Sequence, residues 1–241
     1  MKVAAVIPAR YASTRLEGKP LADICGTPMI RMVYERACRA ALVDTVVVAT
    51  DDERILSVVR GFGGRAVMTS RSHRSGTERV AEAARDLDAP IVVNLQGDEP
   101  LIEPSMVDEV VRPLVDEPGL AMATLKTPIT DEDELFDPHV VKVVTDRAGR
   151  ALYFSRSPIP HRRGGAARAF KHIGIYAFRR DFLFTFSALP PSPLERSEEL
   201  EQLRALENGY SIKVVETDRS PVAVDTPEDL DRVRGIVRRG T

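Results

Sequence analysis

The chain has 241 residues, with 34 Lys and Arg against 36 Asp and Glu, a formal net charge of −2 and two cysteines. That length allows one large domain, or a domain with a lobe, with core enough for independent stability. The even charge balance excludes a general nucleic-acid or membrane-surface binder, which would show a basic excess. No run of about 18 apolar residues occurs, so no membrane span is expected. The apolar part of MKVAAVIPAR is too short for a signal peptide, and Cys25 and Cys38 fit no metal or disulfide spacing. The expectation is a cytoplasmic protein with no nucleic-acid or membrane partner, in which any basic patch serves a small anion.

Taken in order, VAAVI (3–7), VVVAT (46–50), RAVMT (65–69) and IVVNLQ (91–96) are short, β-branched and nearly uncharged, as parallel strands buried on both faces should be. Helical stretches separate them. Thr27 reads as a cap and Pro28 as a first-turn residue before MIRMVYERACRAAL. Asp51 reads as the cap of DERILSVVRGFGG, which stops at glycines. Ser75 or Thr77 opens TERVAEAARDL, and a further helix starts near Pro104. These βα units predict an α/β fold with a doubly wound, mostly parallel sheet.

After about residue 118 the pattern changes. AMATLKTPI (121–129), VVKVVTD (140–146), ALYFSR (151–156), AFKHIGIYAF (169–178) and SIKVVET (211–217) read as strands, some joined by turns, so a mixed or antiparallel extension is expected. HRRGGAARA (161–169) is a basic loop without periodicity, and SPLERSEELEQLRALENG reads as one helix ending at Asn208-Gly209. The chain closes on VDTPEDLDRVRGIVRR, where Thr226 fits an N-cap, Pro227 the first turn and Asp229 the reciprocal partner. The division predicted is 1–118 and 119–241, the second not an independent domain and closing with a helix that returns to the first half.

Ligands of open parallel sheets bind outside the carboxyl ends of the strands. Three unusual loops each follow a predicted strand: ARYASTRLEGK after the first, SRSHRSGTER after the third and GDEP after the fourth. The first matches neither GxxxxGK[ST] nor GxGxxG, yet Arg10, Arg15 and Lys19 could neutralise a polyphosphate by charge-assisted hydrogen bonds. Asp98, beside Gly97, is either a metal-binding carboxylate, since Mg²⁺ takes one or two carboxylates plus phosphate oxygens, or, like Glu99, a helix cap. Asp225 is the best second carboxylate, because Thr226 and Pro227 already open the last helix. Arg74, the Ser75 and Gly76 backbone, and the Gln96 amide are either a wall for a pyrimidine edge or an ordinary helix start. In the second half, Arg156, His172, Tyr176, Glu201 and Gln202 suit a polyhydroxylated acid, with Glu198 on the same helical face as the last two.

The segments IPARYASTRLEGKPL, HRSGTER, VVNLQGDEPLI, YFSRSPIP, KHIGIYAF, LEQLRALENG and VDTPEDL, spread from residue 7 to 231, resemble the 3-deoxy-manno-octulosonate (Kdo) cytidylyltransferases. Glu78, where Asp is expected after SGT, is a small departure. The resemblance implies the nucleotide-diphospho-sugar transferase fold and an enzyme that joins CTP and Kdo to give CMP-Kdo and pyrophosphate with Mg²⁺, for lipopolysaccharide precursor synthesis, as a homodimer. It implies catalytic roles for Arg10, Lys19 and Asp98, and a nucleotide site of Pro8, Ala9, Arg10, Arg15, Lys19, Arg74, Ser75, Gly76 and Gln96. It further implies sugar contacts from Arg156, His172, Tyr176, Glu201 and Gln202, and metal ligation by Asp98 and Asp225, so that 1–118 is the nucleotide-binding half and 119–241 the sugar-binding and dimerisation half. A CMP-sialic acid synthetase is the rival enzyme, disfavoured by SRSPIP, KHIGIYAF and LEQLRALE. A non-catalytic nucleotide-binding module is the rival of another class, and retention of both aspartates speaks against it.

Overall fold

The computed structural model of the chain describes residues 1–12, 16–163 and 168–240. They form two compact units, Met1–Asp108 with Pro221–Thr241, and Glu109–Ser220. In the first unit β1 (Val3–Ala9) is followed by a small hairpin of β2 (Asp23–Ile24) and β3 (Thr27–Pro28), then α1 (Met29–Ala37) and β4 (Thr45–Thr50). Next come α2 (Glu53–Gly61), β5 (Ala66–Met68), α3 (Gly76–Ala83), β6 (Ile91–Asn94) and the start of α4 (Pro104–Asp116). The other four strands pair in the order β6-β1-β4-β5, all parallel. From Val3 to Ile7 no residue of β1 is more than 1% exposed, which is why this strand is an unbroken apolar run. Each Val or Ile buried there stabilises by about 1.5–3 kcal/mol.

The chain goes from β1 outward to β4 and β5, then returns to place β6 on the other side of β1. The strand order therefore reverses between β1 and β6, and the loops leaving those two strands part to open a crevice at their carboxyl ends. The C-terminal helix, Pro227–Gly240, anchors the preceding segment, which supplies the last wall. Its start is a capping box: the Asp229 N–H donates to Thr226 Oγ1 at 3.2 Å and the Thr226 N–H donates to Asp229 Oδ2 at 3.0 Å. Its Leu230 and Val233 pack with Val224 against Ile24 and Met29, which fixes the segment carrying Asp225 beside the β2–β3 hairpin.

The second unit holds β7 (Met122–Pro128), α5 (Glu132–Phe136), β8 (Lys142–Thr145), β9 (Ala151–Ser155), β10 (Phe170–Arg179), α6 (Arg180–Ala188), α7 (Pro193–Glu198), α8 (Leu203–Glu207) and β11 (Ile212–Glu216). Its strands run β11-β7-β10, with β8 beside β10 and β9 outside β8. Only the β11–β7 pair is parallel. A parallel, doubly wound first part and a mixed second part are the expected fold class. Among the described residues no helix is long and apolar enough to cross a membrane.

Local expectations fail where tertiary contacts intervene. Thr27 does not cap α1: Thr27 and Pro28 are extended and pair with Ile24 and Asp23 around a turn in which Cys25 and Gly26 both have positive φ. Asp52, not Asp51, caps α2, accepting from the Arg54 N–H at 2.9 Å, while Asp51 pairs with Arg79 at 2.8 Å. The stretch 192–209 is two helices. Glu199 is left-handed (φ 52), and the Arg204 guanidinium folds back on Glu195, so Glu198 does not share a helical face with Glu201 and Gln202. The amphipathic pattern allowed one helix; the buried Arg–Glu pair favours the break. The short α5 and the aromatic α6 were not anticipated. The centre of the 161–169 loop, residues 164–167, lies outside the described residues.

Candidate functional site

At the crevice of the first unit lies a polar cavity of about 280 Å³. The end of β1 contributes Pro8, Ala9 and Arg10, the N-terminus of α3 contributes Arg74, Ser75 and Gly76, and the segment after β6 contributes Gln96, Gly97 and Asp98. Lys19 enters from the loop after β1, and Asp225 from the segment before the last helix. All the nucleotide and metal candidates among the described residues thus line one cavity. Arg15 lies outside the described residues.

Lys19 is the centre of the charge arrangement. Its Nζ donates to Asp98 Oδ2 at 2.6 Å and to Asp225 Oδ1 at 3.1 Å, with only 15% of the side chain exposed. Two carboxylates far apart in the chain therefore converge on one cation. Gly18 makes this possible: it has φ 67, and its N–H donates to the Tyr11 carbonyl, closing the loop that returns Lys19 to the crevice. Next to Asp98, Glu99 is buried, and its Oε2 has no hydrogen-bond partner among the described residues. Burial, with some repulsion from Asp98, pushes its carboxyl up to about 8.

The α3 wall is held from within. Ser75 Oγ accepts from the Glu78 N–H at 3.2 Å and caps α3, whose first residues line the cavity; the end of a helix that carries its N–H groups is a favourable place for anionic or acceptor groups. Glu78 accepts from the Arg74 N–H at 2.8 Å and from its guanidinium at 2.8 and 3.1 Å. Burial pushes the Glu78 carboxyl up, but the Arg74 hydrogen bonds and charge outweigh it and hold it below the usual range. Two cavity residues escaped the sequence reading. His73 sits between Glu78 and Glu82, and the buried Arg79 bonds Thr69 Oγ1 and Asp51 Oδ2. Arg79 falls four residues after Ser75 in the quoted HRSGTER stretch, and that helical spacing from the cap is the signal that could have found it.

Gly97 sets the floor. A Cβ there would come within 3.1 Å of the Pro8 carbonyl oxygen and 3.4 Å of Ile7 Cγ2. A central strand yields little, so Gly97→Ala is expected to lower stability by about 1–3 kcal/mol and to displace Gln96 and Asp98. Thermal melts and kcat/KM on the same sample check this. A larger fall in turnover than the melt predicts marks the shifted floor.

In the second unit, the His172 ring packs between Phe154 and Tyr176, at centroid distances of 5.0 and 5.4 Å, with Nε2 at 2.9 Å from Thr124 Oγ1. Burial pushes the imidazole down to about 3. The Tyr176 hydroxyl is pushed well above its usual value by burial and then by the Glu201 charge. Glu201 lies 3.7 Å from the Arg204 guanidinium. Gln202 is 4% exposed, and its Nε2 has no partner among the described residues. His172, Tyr176 and Glu201 are thus brought together. Arg156 joins instead the end of α7, its Nε donating to the Glu198 carbonyl at 2.7 Å.

The His172 environment has a measurable consequence. An unfolded chain binds a proton at this imidazole below about 6.5, whereas the folded chain resists until about 3. Stability is therefore whole above the unfolded value and falls as the pH drops from there toward 3, by at most roughly 1.4 kcal/mol per pH unit. His172→Gln is expected to flatten that part of the curve in urea unfolding at pH 7, 6, 5 and 4. Equal slopes in both proteins refute it.

A family model described as Cytidylyltransferase matches residues 4–214, and the chain belongs to that family of nucleotidyltransferases. Curated relatives named 3-deoxy-manno-octulosonate cytidylyltransferase match end to end. The one from Syntrophotalea carbinolica is 58% identical, covering 99% of both chains, and the one from Solibacter usitatus is 56% identical over 98% of this chain and 95% of its own. A solved structure of CMP:2-keto-3-deoxy-manno-octonic acid synthetase complexed with CTP superimposes with a TM-score of 0.97 at 48% identity, covering both chains completely. Within the family, the chain's likeness to the Kdo cytidylyltransferases spans its whole length, as the sequence resemblance led one to expect.

Proposed function

We propose that the chain transfers the cytidylyl group of CTP to Kdo, giving CMP-Kdo and pyrophosphate, for lipopolysaccharide precursor synthesis in the cytoplasm. The observation that carries this reading is the convergence of Lys19, Asp98 and Asp225 in a polar cavity at the strand-order reversal, in a chain alike from end to end to enzymes named for that activity. The anomeric hydroxyl attacks the α-phosphorus, the bond from that phosphorus to the pyrophosphate oxygen breaks, and the hydroxyl proton passes to solvent water. Such transfer asks little covalent chemistry of the protein, so positioning and charge stabilisation dominate.

Arg10 and Lys19 neutralise the triphosphate and the departing pyrophosphate, with Pro8 and Ala9 shaping the turn beneath it. Arg74, the Ser75 and Gly76 amides and Gln96 contact the cytosine. Arg156, His172, Tyr176, Glu201 and Gln202 hold the sugar acid, the neutral imidazole serving as a hydrogen-bonding group and not as a charge. On this reading the nucleotide lies in the first half, 1–118, and the sugar in the second, 119–241.

Two carboxylates aimed at one cation form a hard-oxygen donor pair, and that pair fits Mg²⁺, which takes one or two carboxylates and completes its shell with phosphate oxygens and water. Among the described residues no group of three or more His, Cys, Asp or Glu side chains is arranged to hold a metal ion, and Asp98 and Asp225 are the residues that would hold it beside the phosphates. When bound, Mg²⁺ supplies charge neutralisation at the phosphate oxygens. A homodimer is part of the reading, supported by the family resemblance and by Phe136 and Leu152, 67% and 63% exposed in the second unit; sedimentation tests it.

The deciding experiment is pyrophosphate release from CTP and Kdo with Mg²⁺, with UTP and sialic acid as controls. Release with CTP and Kdo alone is expected. Release with sialic acid in place of Kdo overturns the sugar assignment, and no release with any pair overturns the catalytic reading.

A further inference from the structure

Lys142 in β8 is fully buried, an unusual place for an ammonium group. Its Nζ donates to three backbone carbonyls, those of Asp137 at 2.9 Å, Val140 at 2.6 Å and Arg156 at 2.5 Å, which uses all three of its N–H donors. Among the described residues no carboxylate stands within ion-pair distance of it. Burial pushes its pKa down, and the charges of Asp137 and Glu198 oppose this only in part. An apolar side chain of similar length would fill the same space without an unpaired buried charge. Stability alone therefore does not account for this lysine; what it holds does.

It holds Arg156. The Arg156 carbonyl is fixed by Lys142, and its N–H donates to Glu198 Oε2 at 2.8 Å. The side chain is fixed as well, Nε to the Glu198 carbonyl at 2.7 Å and Nη1 to the Pro138 carbonyl at 2.9 Å. Glu198 is locked in turn by the Ser155 hydroxyl at 2.7 Å and the Tyr153 hydroxyl at 3.3 Å. Nη2 of Arg156 and the second N–H of Nη1 make no hydrogen bond among the described residues. They form the edge of the guanidinium that can still grip a carboxylate through two parallel bonds, a geometry that needs the plane held still.

We propose that Lys142 and Glu198 are positioning residues that clamp Arg156 from both sides, presenting its Nη edge to the carboxylate of the sugar acid. This rests on the assignment of Arg156 to that substrate made above. Neither residue touches the sugar; both act through Arg156.

The test compares Kdo with its C1 carboxamide as acceptor in Arg156→Ala, Lys142→Met and Glu198→Gln, all with CTP. Arg156→Ala is expected to abolish the preference for the acid over the amide. Lys142→Met and Glu198→Gln should each raise KM for Kdo by about tenfold or more, reduce the acid-over-amide preference by a similar factor, and leave KM for CTP within about twofold. A merely structural role lowers kcat with both acceptors alike and leaves the preference intact, and that result overturns the clamp. If Arg156→Ala also keeps the preference, the sugar assignment falls and the clamp with it. Should Lys142→Met fail to fold, Glu198→Gln and Tyr153→Phe, which removes one donor to Glu198, decide alone; an unchanged preference in both overturns the proposal.

Discussion

Lys19→Met should lower kcat/KM for CTP and Kdo by about 10²–10³-fold, the loss that follows removal of a preorganised charge from a developing anion. The lysine is no exposed surface cation. Its ammonium is held at 2.6 and 3.1 Å by Asp98 and Asp225 with 15% of the side chain exposed, so its position is set before any ligand arrives. Methionine keeps the stem and removes the charge, leaving two carboxylates facing each other with no countercharge from that side. KM for CTP should rise, since ground-state phosphate contacts are lost, and kcat should fall further, because negative charge grows on the leaving pyrophosphate. Lys19→Arg is expected to recover part of the KM effect and little of kcat, the planar fork being unable to occupy the point between the two carboxylates. Steady-state pyrophosphate release from the three proteins, each first shown folded by its melt, decides. Turnover by Lys19→Met within tenfold of the wild type removes the lysine from the chemistry.

The parallel half of the fold was legible because its strands are buried on both faces and must be unbroken apolar runs, each followed by a helical pattern. The convergence of the loop after β1 with GDEP was legible for the same reason: topology puts strand ends on one edge. Asp225 stands out by elimination, since Thr226 and Pro227 already open the final helix; what brings it to Lys19 is the packing of Leu230 and Val233 on Ile24 and Met29, a contact no local pattern announces. The failures share that character. Glu198 reads as sharing a helical face with Glu201 and Gln202, yet its carboxylate accepts from Arg156, Ser155 and Tyr153, all about 40 residues distant. The same Arg204–Glu195 pairing that broke the predicted helix at Glu199 separated it from Glu201. Periodicity reports which face is apolar; it carries no information about which polar groups will find each other across the chain.

Asp98→Asn is the second large effect expected, again about 10²–10³-fold in kcat, with a changed dependence on Mg²⁺. Asparagine preserves shape and one oxygen but removes the negative charge, weakening both the pairing with Lys19 and the ability to hold a hard divalent cation. Asp225→Asn should be milder, because the Asp225 bond to Lys19 is the longer of the two, 3.1 against 2.6 Å, and its side chain is more exposed, 39% against 28%. The half-saturating Mg²⁺ concentration should therefore rise in both variants, and more in Asp98→Asn, while a chelator should stop turnover in all three proteins. Titrating Mn²⁺ by its magnetic resonance signal in the presence of CTP separates binding from catalysis: weaker binding in step with lost turnover places the carboxylates on the metal. Unchanged Mn²⁺ affinity with lost turnover would instead leave the two aspartates with one task, holding Lys19 at the point where the phosphates must meet it.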